Sequence, residues 1–119
     1  MTNNGLNIIR DLLVGLTTVV RPTFFSMGTS PTLEGPSNTQ LGAESAITRK
    51  QGTYSSFAKQ AILTATLSTS DWVDIAFREV GVFTASSDQL MSMRQTFASL
   101  TKPSSPAETW RLDFVQELE

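Results

Sequence analysis

The chain has 119 residues, a net charge of −2 and 17% charged residues, with neither histidine nor cysteine. The length fits one domain, able to bury roughly two thirds of the surface its unfolded chain exposes. Lack of cysteine excludes disulfides and thiolate metal sites, and lack of histidine removes the commonest general base and metal ligand. The near-neutral charge implies neither a basic nucleic-acid patch nor an acidic tail.

The N-terminal segment reads as a helix from about Asn4 to Leu16. Thr2, Asn3 or Asn4 can cap it, and Leu6, Ile9, Leu13 and Leu16 recur at helical spacing, with Ile8 and Leu12 widening the stripe. Such a stripe needs cover, from its own sheet or from another subunit. The segment lacks a basic n-region, so no signal peptide is expected. No apolar run approaches the roughly 20 residues that span a bilayer, and no membrane partner is expected.

Pro22 suits a strand start, and Thr23–Thr29 reads as a strand ending at Gly28. Ser30–Gly42, with two prolines and two glycines, reads as a long loop, either a plain connection or a partner contact. Ala43–Thr53 fits a short helix or an edge strand with its charges outward, leaving Arg49 and Lys50 solvated. Tyr54–Thr69 contains an alternating strand with Ala61, Leu63, Ala65 and Leu67 on its apolar face, and Ser68–Asp71 reads as a turn.

Trp72–Phe97 is the centre of the pattern: two strands joined by the polar stretch Thr84–Gln89. A turn centred between Ser86 and Ser87 predicts Phe83 opposite Leu90, Val80 opposite Met93, Phe77 opposite Thr96, and Glu79 directly opposite Arg94. Opposed charges of this kind stabilise a ladder and fix its register. After a second proline-containing loop, Thr101–Glu108, alternation resumes from Thr109 to Leu118 with Trp110, Leu112 and Phe114 on one face.

Catalytic chemistry finds little support. No histidine can activate a serine, and Lys50, Lys59 and Lys102 stand in no recognisable motif. Asp71 and Asp74 share a helical face only if that segment is helical, and it reads as a turn. Gly28–Gly35 lacks the spacing and lysine of a phosphate loop. The aromatic residues have no interleaved basic residues, so no single-stranded nucleic-acid platform is expected. Arg10, Glu79 and Arg94 are candidates for a structural salt bridge joining helix and hairpin. Leu6, Ile9, Leu13, Pro31, Leu33, Pro36 and Trp72 are candidates for an interface. Trp72, flanked by Asp71 and Asp74, also allows a glycan-binding loop.

The order of segments resembles small virion structural proteins of tailed bacteriophages. The residues carrying the likeness are Ile9-Arg10-Asp11-Leu12-Leu13-Val14-Gly15, then Ser26-Met27-Gly28-Thr29 and Leu41-Gly42-Ala43-Glu44. They continue with Glu79-Val80-Gly81-Val82-Phe83, then Leu90, Arg94 and Phe97, and finally Trp110, Leu112 and Phe114. Met93 departs from the small residue usual before the arginine, and Val82 replaces leucine. The resemblance covers nearly the whole chain. It implies a non-enzymatic β-sandwich component of the tail, fibre, baseplate or head surface.

Together these readings predict one all-β domain over residues 1–119: an antiparallel β-sandwich or flattened barrel with one N-terminal α-helix. Expected partners are other virion proteins and further copies of the chain, with no cofactor and no small-molecule substrate. Tail location is the first expectation, with capsid decoration on the head and a receptor- or glycan-binding module as alternatives.

Overall fold

The computed structural model describes residues 2–13, 21–32, 35, 38–87 and 91–117, with side chains described except at 11–13. Helix α1 spans Asn3–Leu13. Of the three capping candidates the chain uses Thr2: its hydroxyl oxygen accepts from the Gly5 amide at 3.2 Å and its carbonyl from Leu6 at 3.0 Å. The residue that starts the helix also docks it. The Thr2 amide donates to the Ser92 carbonyl at 3.0 Å and its hydroxyl to the Met91 carbonyl at 2.6 Å. The expected extension of the helix to Leu16 falls outside the described residues.

Seven strands follow: β1 (Phe24–Gly28), β2 (Lys50–Gln51), β3 (Thr53–Phe57), β4 (Gln60–Leu67), β5 (Ala76–Phe83), β6 (Met91–Thr101) and β7 (Trp110–Glu117). They form two antiparallel sheets, ordered β2-β1-β5-β6 and β3-β4-β7. The expected all-β architecture with an N-terminal helix is the one adopted, in its two-layered sandwich form. The segment 43–53 resolves to an edge strand only two residues long, β2, which continues through Gly52 into β3. That continuity gives the two sheets a shared corner on one flank and leaves β6 and β7 at the far ends of their sheets.

The core lies between the sheets. Alternation along β4 buries Leu63, Ala65 and Leu67 and turns Thr64 and Thr66 outward, as the period-2 pattern predicts. Phe25, Met27 and Val82 face them from the four-stranded sheet. Strand β5 is covered on both sides. Its other face carries Glu79, Gly81 and Phe83, and Phe83 joins Leu41, Met91 and Phe24 in a second cluster.

The β5–β6 register differs from the predicted one. Val82 pairs with Met93, Gly81 with Arg94 and Glu79 with Thr96, two places from the prediction, and Phe83 pairs with Met91. The predicted partner Leu90 lies outside the described residues. A displacement of two keeps every side chain on its face, so Glu79 and Arg94 still share one. An irregularity between Phe77 and Glu79 breaks the alternation. It carries Phe77 into the inter-sheet core, edge-on to Trp72 with ring centroids 6.2 Å apart, although strict alternation grouped it with Glu79.

Candidate functional site

The outer face of the four-stranded sheet holds the densest polar arrangement. Gly28 stands opposite Glu79 across β1–β5, and Gly81 stands opposite Arg94 across β5–β6. These two side-chain-free positions make room for charged groups and for a crossing main chain. A Cβ at Gly28 would collide with the Ala43 carbonyl oxygen and Glu79 Oε2.

Into that space comes a strap, residues 38–45. Glu79 Oε1 accepts from the Gly42 amide at 2.8 Å and from Arg94 Nε at 2.9 Å. Oε2 accepts from the amides of Ala43 at 2.8 Å and Ser30 at 3.1 Å. Both ionic side chains are buried, at 0% exposure for Glu79 and 2% for Arg94. Burial pushes the Glu79 carboxyl up, but the amides of Ala43, Gly42 and Ser30 and the guanidinium outweigh it, and the group is held below its ordinary value. Arg94 Nη2 is buried and has no hydrogen-bond partner among the described residues.

A second charged set pins the end of the strap. Glu44 forms an isolated bridge with Gly28, and the Ser45 amide donates to the Met27 carbonyl at 3.0 Å. The Glu44 carboxylate takes two bonds from Arg49, each 2.9 Å, and one from the Ser26 hydroxyl. Arg49 holds that carboxyl below its ordinary value, with burial opposing and Ser26 assisting. The guanidinium lies over the Phe83 ring, 3.7 Å from its centroid. The sequence reading of Arg49 as a solvated charge is therefore wrong: its side chain is only 7% exposed, because a carboxylate and an aromatic face enclose it. Lys50 is paired with Asp71 at 2.8 Å.

Sequence reasoning found the Glu79–Arg94 pair through the charge alternation of the hairpin. It did not find the three amides that complete the carboxylate's shell, nor Glu44 with Arg49. Arg10 lies on α1 and is exposed. Leu6 and Ile9 are exposed at 54% and 37%, so part of the helix stripe meets solvent, while Gly5 is buried and Ile8 half-buried. Pro31 is exposed. Leu33 and Pro36 lie outside the described residues, as does the side chain of Leu13.

Trp72 corrects another expectation. It is buried in the inter-sheet core and its Nε1 donates to the Thr48 carbonyl at 2.9 Å, so it offers neither an interface anchor nor a ring on which a sugar could stack. The corner around it is a tight turn in which Trp72 and Asp74 both have positive φ. An open depression of about 250 Å³ lies there, lined by Ile47, Thr48, Lys50, Ser70, Asp71 and Trp72. The Lys50 side chain and the Ser68 amide and hydroxyl bind the Asp71 carboxylate and hold it at about 2. Nearby in the chain order, the Asp74 amide donates to the Lys102 carbonyl at 2.8 Å. The Lys102 ammonium is buried and has no hydrogen-bond partner among the described residues, which nothing in its sequence neighbourhood signals.

Compared with models of known protein families and with curated proteins, the chain matches none. Among the described residues, no group of three or more histidine, cysteine, aspartate or glutamate side chains is placed to hold a metal ion. No described helix is long and apolar enough to cross a membrane.

The remaining candidate is the flank formed by β6 and β7. Core-facing residues of β7, namely Trp110, Leu112 and Phe114, are only half-buried, whereas their counterparts Leu63 and Leu67 on β4 are fully buried. Met93 and Phe97 on β6 are half-buried in the same core cluster. The sandwich is closed at its β2–β3 corner and open here.

Proposed function

We propose that the protein is a non-enzymatic structural component of a tailed-phage virion, assembling through self-association and contacts with other tail proteins. The observation that carries this reading is a convergence in space. The segments that resemble phage virion proteins, Ser26–Thr29, Leu41–Glu44, Glu79–Phe83 and Arg94, meet where the strap crosses the sheet. Their charged groups are engaged with each other and with main-chain amides, so they fix the position of a surface segment. A rigid sheet with a pinned strap suits a part that presents a defined surface to neighbours. Exposed Leu6 and Ile9 on α1, together with the open β6–β7 flank, supply apolar surface for such contacts.

Gold-labelled antibody against the protein, imaged on intact particles of the encoding phage by electron microscopy, tests the reading. Label along or at the end of the tail is expected. Label over the head would make this a capsid decoration protein. Particles that lack the protein altogether, by labelling and by mass spectrometry of purified virions, would overturn the structural role.

A further inference from the structure

Of the sheet edges, β2, β3 and the start of β6 are managed, and β7 is not. An exposed strand edge is a row of unpaired amides and carbonyls, a template for another strand, and proteins blunt it by shortness, cover or repelling charge. Strand β2 is two residues long, and β3 is short and turns out of β2 at the corner. The start of β6 is covered by Thr2, whose amide and hydroxyl take the carbonyls of Ser92 and Met91. Strand β7 runs eight residues with no proline and no register irregularity against β4, and among the described residues nothing pairs with its far side.

The charges on β7 do not repel a second copy; they complement it. Its outward face reads Arg111, Asp113, Val115, Glu117, positive at one end and negative at the other. A two-fold antiparallel ladder pairs residues whose numbers have a constant sum, and only an even sum keeps like faces together. Four centres are then available in the body of the strand. A centre at Asp113 sets that carboxylate against itself, and one at Val115 sets Asp113 against Glu117. A centre at Leu112 matches Arg111 with Asp113 but pairs only Trp110–Phe114. A centre at Phe114 matches Arg111 with Glu117 twice, pairs the whole of Arg111–Glu117, and brings the two half-buried Phe114 rings together on the axis.

We propose that β7 pairs with β7 of a second copy about a two-fold axis at Phe114, joining two three-stranded sheets into one continuous sheet of six. Arg111 is suited to the bridging role. It binds Asp113 of its own chain through Nε at 3.0 Å, and its side chain remains 67% exposed. The Thr64 hydroxyl and Arg111 hold the Asp113 carboxyl below its ordinary value, so it stays charged beside the guanidinium. The pairing also covers the half-open edge of the core at Leu112 and Phe114, which is how isologous interfaces gain apolar area. This proposal rests on the reading of the chain as a self-associating part and names the surface that does it.

Sedimentation velocity of the full chain over a range of concentrations tests it. The wild type is expected to form a dimer. Arg111→Glu places like charges opposite each other twice and is expected to weaken the dimer about tenfold or more. Arg111→Glu with Glu117→Arg restores the attraction and is expected to recover it. Arg111 and Glu117 are both exposed, and far-UV circular dichroism checks that each variant retains the fold. Rescue by Asp113→Arg instead of Glu117→Arg overturns the register. A dimer indifferent to Arg111→Glu overturns the interface while leaving self-association standing. A wild type that stays monomeric at every concentration overturns both.

Discussion

The outer faces of the two sheets are built from the same kind of alternating strand, yet they obey different rules. On the three-stranded sheet the outward positions Phe57, Thr64, Thr66 and Asp113 meet water, and the Thr64–Asp113 hydrogen bond is exposed. On the four-stranded sheet the outward positions Ser26, Gly28, Glu79, Gly81 and Arg94 lie beneath a strap and are buried. In the first setting polar residues are solvated and interchangeable. In the second each must find a partner inside the protein, since an unpaired buried charge is expensive. The covering segment, more than the strand sequence, decides which outward residues matter.

The sharpest way to break that comparison is Glu79→Ala. It leaves Arg94 buried and uncompensated and strips the amides of Ser30, Gly42 and Ala43 of their acceptor. Chemical denaturation is expected to show a loss of about 3 kcal/mol; a loss near zero would mean that the strap does not depend on the carboxylate. The same group gives the contrast a pH signature. Its folded-state pKa lies below the ordinary value of 4.5, so its contribution is fully present above that pH and fades as pH falls through the folded pKa. The acid limb of the stability curve is expected to flatten in Glu79→Gln.

Next in size is a pair of glycines. Gly28→Ala forces a methyl against the strap carbonyl and the Glu79 carboxylate and is expected to cost about 2 kcal/mol. Gly35→Ala meets nothing within 4 Å among the described residues and is expected to change stability by less than about 0.5 kcal/mol. Equal effects in thermal melts would show that the packing under the strap is loose. Lys102→Met replaces a buried ammonium that has no hydrogen-bond partner among the described residues by an apolar chain of similar length. It is expected to stabilise the fold by about 1 kcal/mol, and a clear loss would reveal a partner formed in solution. Smallest of all, Phe57→Thr on the bare face, where the ring is 72% exposed, is expected to stay within about 0.5 kcal/mol of the wild type.

The hairpin shows what a sequence can and cannot convey. Alternation located both strands, and the opposed signs of Glu79 and Arg94 put them on one face. That conclusion survived a register wrong by two because faces repeat with the same period. The irregularity at Phe77–Glu79 left no such trace, since it arises from how β5 must serve two cores at once. Long-range cover was equally hidden. Arg49 looked solvated and Trp72 looked available because the groups that complete their enclosure lie far off in the chain. Their partners Phe83 and Thr48 lie 34 and 24 residues away. The strap's dependence on Glu79 was invisible for a simpler reason: it uses main-chain amides, which every residue but proline possesses.

Those amides also give the strap a clock. Amides of Ser30, Gly42 and Ala43 donate to a side chain rather than to a ladder, across 49, 37 and 36 residues of sequence. Their protection from hydrogen exchange is therefore governed by one carboxylate, while that of β4 and β5 is governed by the sheets. Below the pKa of Glu79 the three should exchange together, ahead of the sandwich beneath them, as one cooperative unit that opens first and closes last. A surface segment released in this way leaves the sheets intact, so acidification would change the shape the protein offers its neighbours before it changes whether the protein is folded.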